Sequence, residues 1–216
     1  MKRPLSRVDS IEPVDYESAM DRMQDMFEDR QNGARPDTLW LLSHPPVFTM
    51  GARTKPEHLP AKTHSVPVLE TRRGGQLTYH GPGQLVGYLI VALSPEEGVV
   101  DFVREVEARL VGALSELGLP AERRETIPGS ELLTGVWTCR TGRKIASIGM
   151  RAGRGITTHG FALNVAGDLT PWDWAVACGM PDVRMTSIER EFVELGQPAP
   201  DVDRVRDVVA SAFDAC

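Results

Sequence analysis

The sequence has no long apolar stretch. Its best run, "LVGYLIVAL" at 85–93, is strand-length and about half of the ~20 residues a bilayer crossing needs. The opening "MKRPLSRVDSIEP" has two basic residues and no apolar core behind them, so it is not a secretory signal, and a cytoplasmic location is expected. Cysteine is scarce. Cys139, Cys178 and Cys216 cannot all pair within one chain, and no CxxC spacing exists, which argues against a zinc knuckle or a redox pair. In a reducing compartment the useful question is which thiol is reactive. Basic residues are not in excess: the net charge of −6 argues against a nucleic-acid partner. Internal repeats, low-complexity tracts and linkers are missing too, and one domain over residues 1–216 is expected. Neither GxxxxGK[ST] nor GxGxxG occurs, so the common phosphate-cradling loops are excluded.

What is present reads as many short strands and a few helices. Ala19, Met20, Met23, Met26 and Phe27 recur at helical spacing over 16–31, behind Asp15 as N-cap. A second helix covers 101–117, with Asp101 capping its start and Gly118 and Pro120 ending it; a third covers 201–214. Strands are read at 38–42, 47–50, 66–70, 85–93, 135–139, 144–150 and 156–165. Strands outnumber helices and do not alternate with them regularly. The expected fold is therefore α+β, a mixed β-sheet with flanking helices, and not a doubly wound parallel sheet.

Reactive residue types gather among small ones in "RRGGQLTYHGPGQ" (72–84), "GRKIASIGM" (142–150), "THGFALN" (158–164) and "ACGM" (177–180). Cys178 precedes a glycine, near Trp172 and Trp174, which suit a pocket wall. It is either a small buried hydrophobe or a nucleophile, and the second role needs a nearby cation to favour the thiolate. Lys144 is the candidate cation, because it opens the apolar strand pattern "KIASI", although an edge lysine would look the same. Strand alternation puts Lys144, Ala146 and Ile148 on one face and Ile145, Ser147 and Gly149 on the other. His80 and His159 each precede a glycine, and a glycine there lets a ligand approach backbone N–H groups. A basic set (Arg72, Arg73, Arg123, Arg124, Arg140, Arg143, Lys144, Arg151, Arg154) is either solvated charge or a rim for an acidic partner. Residues alone reach no further than thiol-dependent acyl chemistry in a pocket with exposed backbone amides.

Taken together, "HPPVFTMG" (44–51), "RRGGQLTYHGPGQLVGY" (72–88), "KIASIGMRAGRGITTHGFALNV" (144–165) and "ACGM" resemble the octanoyltransferases of lipoate biosynthesis, the LipB family. The resemblance runs in order from about Trp40 to Ile188. It implies the catalytic fold of biotin and lipoate protein ligases. It also implies transfer of an octanoyl or lipoyl group from acyl carrier protein to a lysine of lipoyl-accepting domains, through an acyl-thioester on an enzyme cysteine. The acceptors implied are lipoyl domains of 2-oxoacid dehydrogenase complexes or the glycine cleavage H protein. No cofactor, metal, nucleic acid or membrane is implied. By the same resemblance Cys178 is the nucleophile and Lys144 its partner. The lining residues are Arg73, Gly74, Gly75, Gln76, Leu77, Thr78, Tyr79 and His80, then Ser147, Ile148 and Gly149, then His159, Gly160, Phe161 and Ala162. Val47–Met50 and the strand at 85–93 are candidates for the acyl tunnel. Arg123, Arg124, Arg140, Arg143, Arg151 and Arg154 become a docking rim for the acidic carrier. One departure is Ala177, where the family commonly has proline. Cys139 reads as strand packing and Cys216 as a frayed terminus. The alternatives are an ATP-dependent lipoate or biotin ligase on the same fold, an amidotransferase moving acyl groups between domains, and a silent scaffold that binds lipoyl domains.

Overall fold

"TLWLL" contains no polar residue after its threonine, and such a strand is stable only if both of its faces are covered. All five residues of this strand are buried in the computed structural model, which describes residues 4–60, 65–126, 133–176 and 179–215. Ala177, Cys178 and Cys216, singled out above, lie outside the described residues.

The chain begins β1 (Ser6–Asp9), α1 (Tyr16–Gln31), β2 (Thr38–Leu42), β3 (Val47–Met50), β4 (Val68–Glu70), β5 (Thr78–His80) and β6 (Gln84–Ile90). It continues α2 (Val99–Glu116), β7 (Ala121–Glu122), β8 (Gly135–Thr138), β9 (Lys144–Gly153) and β10 (Ile156–Asn164), and ends with α3 (Ile188–Glu194) and α4 (Val202–Ala212). Short 3-10 turns sit at Pro56–His58 and Thr170–Trp174. Among the described residues seven strands form one sheet in the order β1-β2-β6-β10-β9-β8-β7, and β4-β3-β5 form a smaller one. Among the described strands only β1–β2 and β3–β4 pair in parallel, so both sheets are mixed, as expected for an α+β chain.

Two apolar layers cover the large sheet. Trp40, Leu42, Val86, Tyr88, Ile90 and Ala162 pack with Ala19, Met23 and Met26 of α1. Their strand neighbours Leu39, Leu41, Leu85, Leu89, Phe161 and Leu163 pack with α2 and α4 through Phe102, Leu110, Val205, Val209 and Phe213. Side chains alternate along a strand, so these two sets lie on opposite faces of the sheet. Among the described residues no helix is long and apolar enough to cross a membrane.

Asp15 caps α1, accepting from the Ser18 N–H at 3.0 Å. Asp101 does not occupy the N-cap of α2. The helix starts at Val99, and the Asp101 carboxylate reaches back to the Gly98 N–H at 3.2 Å. Cys139 is exposed, because β8 ends at Thr138 and the chain turns there toward β9. The basic rim is also redrawn. Arg123 pairs with Glu125 and Arg124 with Glu122, while Arg140 and Arg143 clasp Glu191 and Glu194 of α3. Glu191 is fully buried and also accepts from Thr141 at 2.9 Å and Thr186 at 2.8 Å. Arg140 and Arg143 therefore tie the β8–β9 turn to α3, as a buried carboxylate requires.

Candidate functional site

The "RGG" run leaves β4 and docks edge-on against β9, where the Gly74 N–H donates to Met150 O at 3.1 Å. Small residues at Gly74 and Gly149 allow that backbone-to-backbone approach: a Cβ on Gly149 would sit 2.8 Å from Gly74 O. Two cavities open on either side of this junction. One, of about 390 Å³, is bordered by Arg73 to Gln76, Thr78, Lys144, Ser147 to Gly149 and Met180, with Arg53, Lys55 and Val99, Val100 and Val103 of α2. The other, of about 20 Å³, lies among Tyr16, His80, Val86, Tyr88, His159, Gly160, Phe161 and Ala162. Arg73, Thr78, Ser147 and Gly149 border both, so they form a shared wall.

Strand alternation decides which residues of "QLTYH" face this wall. Gln76, Thr78 and His80 do so, whereas Leu77 and Tyr79 turn into an apolar cluster with Phe48, Trp172 and Met185. Leu77 and Tyr79, read as lining residues, border neither cavity. Phe161 borders the small cavity, but its ring stacks on Phe213 at 5.5 Å in the helix-side core. Of the tunnel candidates, Val86 and Tyr88 reach the small cavity, while Val47 and Phe48 are buried outside both cavities.

Arg73 is a buried cation held by oxygens. It donates to Thr49 O at 2.7 Å, Thr49 Oγ1 at 2.8 Å and Gly74 O at 3.0 Å. The Thr49 hydroxyl, 3.4 Å from His80 Nε2, starts a polar chain through the sheet. His80 Nδ1 is 2.7 Å from Gln84 Oε1, and the Gln84 amide donates to Tyr79 O and to Asn164 Oδ1. The Asn164 amide in turn donates to Thr186 O at 3.0 Å. An amide oxygen only accepts, so His80 carries its proton on Nδ1 and leaves Nε2 to accept. His44 is set the same way: Nδ1 faces Val14 O at 2.7 Å and Nε2 faces the Tyr88 hydroxyl at 2.8 Å. Burial lowers the pKa of both rings. For His80, His44 and Arg73 push it lower still, while burial raises Tyr88. All three are therefore neutral at pH 7. His44, Gln84, Asn164 and Tyr16 were not singled out from sequence. Gln84 and Asn164 stood inside the quoted motifs, but nothing local marked them as partners.

His159 differs from His80. Its backbone is left-handed, with φ 61°, and both ring nitrogens are buried without a hydrogen-bond partner among the described residues. Burial first, then Arg73 and Arg151, pull its pKa down to about 3. The folded value lies below the unfolded one of about 6.5, so the unfolded chain takes up the proton first as pH falls. The stability that neutral His159 contributes is complete above pH 6.5 and is lost on the way down to 3. Its slope is about 1.4 kcal/mol per pH unit. Urea titrations are expected to show the loss between pH 6.5 and 5. His159→Asn, which tolerates left-handed backbone, is expected to flatten the slope by about one proton. An unflattened slope in that variant would refute the assignment.

Of the described residues that flank 177–178, Met180 borders the larger cavity and Val176 is linked to it through His58 and Gln76. The Val176 N–H donates to His58 O at 3.2 Å, and His58 Nδ1 is 3.0 Å from Gln76 Oε1. Gly179 lies flush against the Gln76 side chain, with no room for a methyl group, and Met180 borders the cavity itself. Lys144 is buried on the same cavity, its Nζ 5.1 Å from the Trp137 ring centroid. Trp172 opens on a further basin of about 970 Å³, on which Val176 and Met180 also border. Among the described residues no cluster of His, Cys, Asp or Glu suits a metal ion.

Residues 15–214 match the lipoyl protein ligase A/B catalytic domain. Curated relatives include an octanoyltransferase of Frankia casuarinae, 56% identical over 196 residues, covering 91% of this chain and 89% of that protein. An octanoyltransferase of Mycobacterium leprae is 44% identical over 204 residues, covering 92% and 82%. Among solved structures, a bipartite lipoate protein ligase of Thermoplasma acidophilum, studied with its E2 lipoyl domain, shares the fold. It has a TM-score of 0.70 and 16% identity, and covers 99% of this chain and 85% of that one. Lipoate-protein ligase A bound with ATP gives 0.69 and 17%, covering 99% and 84%.

Proposed function

The chain belongs to the lipoyl protein ligase A/B catalytic-domain family, among its octanoyltransferases, and from that premise we propose that it transfers octanoyl from acyl carrier protein to lysine residues of lipoyl-accepting domains through a thioester on Cys178. The observation that carries this reading is Lys144, a buried ammonium on a cavity bordered also by Gly179-facing Gln76 and by Met180.

The protons balance over a full cycle. The Lys144 ammonium favours the Cys178 thiolate, which attacks the carrier thioester; the C–S bond to the carrier breaks, and the departing thiolate takes a proton from Lys144. Lys144 is then a free amine. The neutral acceptor lysine attacks the acyl-enzyme, its proton passes to Lys144, and the Cys178 thiolate leaves. Thioester exchange is nearly balanced in energy, so no nucleotide is consumed. Backbone N–H groups around Gly149 are candidates for holding the oxyanion. Val99, Val100 and Val103 on the larger cavity, of about 390 Å³, suit an alkyl chain.

Carrier docking falls to cations that no carboxylate neutralises among the described residues: Arg53, Arg72, Arg151 and Arg154. Arg53 stands at the larger cavity. The test is a donor comparison. Octanoyl-carrier protein is expected to support labelling of an acceptor domain without ATP; AMP formed from ATP and free octanoate would instead identify a ligase.

A further inference from the structure

Lys144 is 1% exposed, and its ammonium has no carboxylate partner among the described residues. Its backbone is fixed on both sides, since Lys144 N–H donates to Arg184 O at 2.8 Å and Thr186 N–H to Lys144 O at 2.9 Å. Those bonds do not aim a four-carbon side chain. What lies beneath that side chain is Gly135, the first residue of β8. A Cβ on Gly135 would sit 2.6 Å from Lys144 Cε and 3.2 Å from Nζ, and would also strike Ala146 O. Gly135 has φ +138°, a backbone that other residues rarely adopt. The lysine stem therefore runs across a bare Cα on its way to the cavity.

Gly135 is itself held from the helix layer. Its N–H donates to Glu107 Oε1 at 2.9 Å, and Glu107, fully buried on α2, takes Arg104 Nη1 on its other oxygen at 2.7 Å. A buried carboxylate is stable there because both oxygens are bonded, one of them to a cation. The β8–β9 ladder is irregular at this point: Gly135 pairs with Ser147 and Val136 with Ala146, but Trp137 pairs with Lys144, so Ile145 is the extra residue. A bulge re-aims the residues beside it, here Lys144.

We infer that Gly135 and Glu107, with Arg104 behind them, are positioning residues for Lys144: they keep open, and hold in register, the groove through which the ammonium reaches the cavity. The inference rests on the reading of Lys144 as a participant in transfer.

A double-mutant cycle on the full chain separates this from a merely structural tie between α2 and β8. Gly135→Ala is expected to slow octanoyl transfer roughly 100-fold, the scale of a misplaced catalytic group. It is also expected to move iodoacetamide alkylation of Cys178 to higher pH, as Lys144→Ala does. Gly135→Ala combined with Lys144→Ala is expected to be no slower than Lys144→Ala alone. Glu107→Ala is expected to slow transfer about 10-fold and Glu107→Gln to restore most of it, because the amide oxygen still accepts from Gly135. Should Gly135→Ala fail to fold, the Glu107→Ala and Lys144→Ala pair is read through the same cycle. Losses that multiply in the double variant, or a Gly135→Ala enzyme at full rate with an unshifted alkylation profile, overturn the inference and leave the functional reading standing. A Lys144→Ala enzyme at full rate overturns both.

Discussion

Incubated with octanoyl-carrier protein, the wild-type chain is expected to gain the mass of one octanoyl group, and Cys178→Ala to gain none. Hydroxylamine, which cleaves thioesters, is expected to remove the adduct. Transfer to an acceptor domain should fall by on the order of 10⁴-fold or more in Cys178→Ala, as when a nucleophile is deleted from a covalent mechanism. The scale follows from what remains: a cavity that still binds the donor, but no group to split one difficult displacement into two easier ones. Cys139 supplies an internal control, since it is exposed in the turn after β8 and lies on neither cavity. Cys139→Ala is expected to retain the adduct in full. An adduct that survives in Cys178→Ala and disappears in Cys139→Ala would reverse the assignment of the nucleophile.

The largest expected loss of stability comes from Gly160→Ala. Gly160 sits mid-strand, opposite Tyr88 of β6 on one side and Gly149 of β9 on the other. A Cβ there would strike Gly87 O and lie 3.5 Å from Leu89 N, both of them backbone. A side chain in the way swings aside, but a paired strand does not, so the β6–β10 ladder must part. The expected decrease is about 3 kcal/mol or more, read from urea unfolding. Gly153→Ala on β9 is the matched control: its Cβ would meet only Phe27 Cζ at 3.9 Å. That variant is expected to unfold close to wild type. Equal losses in the two would show that backbone approach at Gly160 is not what the sheet depends on.

How much was legible beforehand varies with how local the cause is. The run "TLWLL", the Asp15 cap and the helix over 16–31 are set by neighbours a few residues away, and they were read correctly. β5 was not. "TYH" sits between glycines that look like a loop, and only its pairing with β3, across the chain, makes it a strand. α3 is seven residues long, too short to display a helical period. Lys144 and Arg73, which both border the larger cavity, stand out in the sequence because a cation in an apolar or glycine-rich run is conspicuous. Leu77 and Tyr79 pack away from Thr78 and His80, which a motif read as a block does not show, because a strand sends alternate residues to opposite faces. The ion pairs of Arg140 and Arg143 are illegible for the opposite reason: their partner Glu191 is some fifty residues away, and charge in a sequence carries no mark of what will neutralise it.

The polar chain from Arg73 to Thr186 bears on how the molecule is made. Gln84 and Asn164, its central pair, are 80 residues apart, and the Asn164 amide is satisfied only when the segment at Thr186 arrives. A nascent chain that has delivered β6 but not yet β10 leaves the Gln84 amide without its Asn164 partner. Contacts of such long sequence separation form late and together, since closing the intervening loop costs entropy before any bond repays it. A truncated or half-folded product should therefore be inert, with no partial catalysis ahead of complete folding. On heating, activity and the bulk of the β-structure are expected to disappear over one and the same temperature interval.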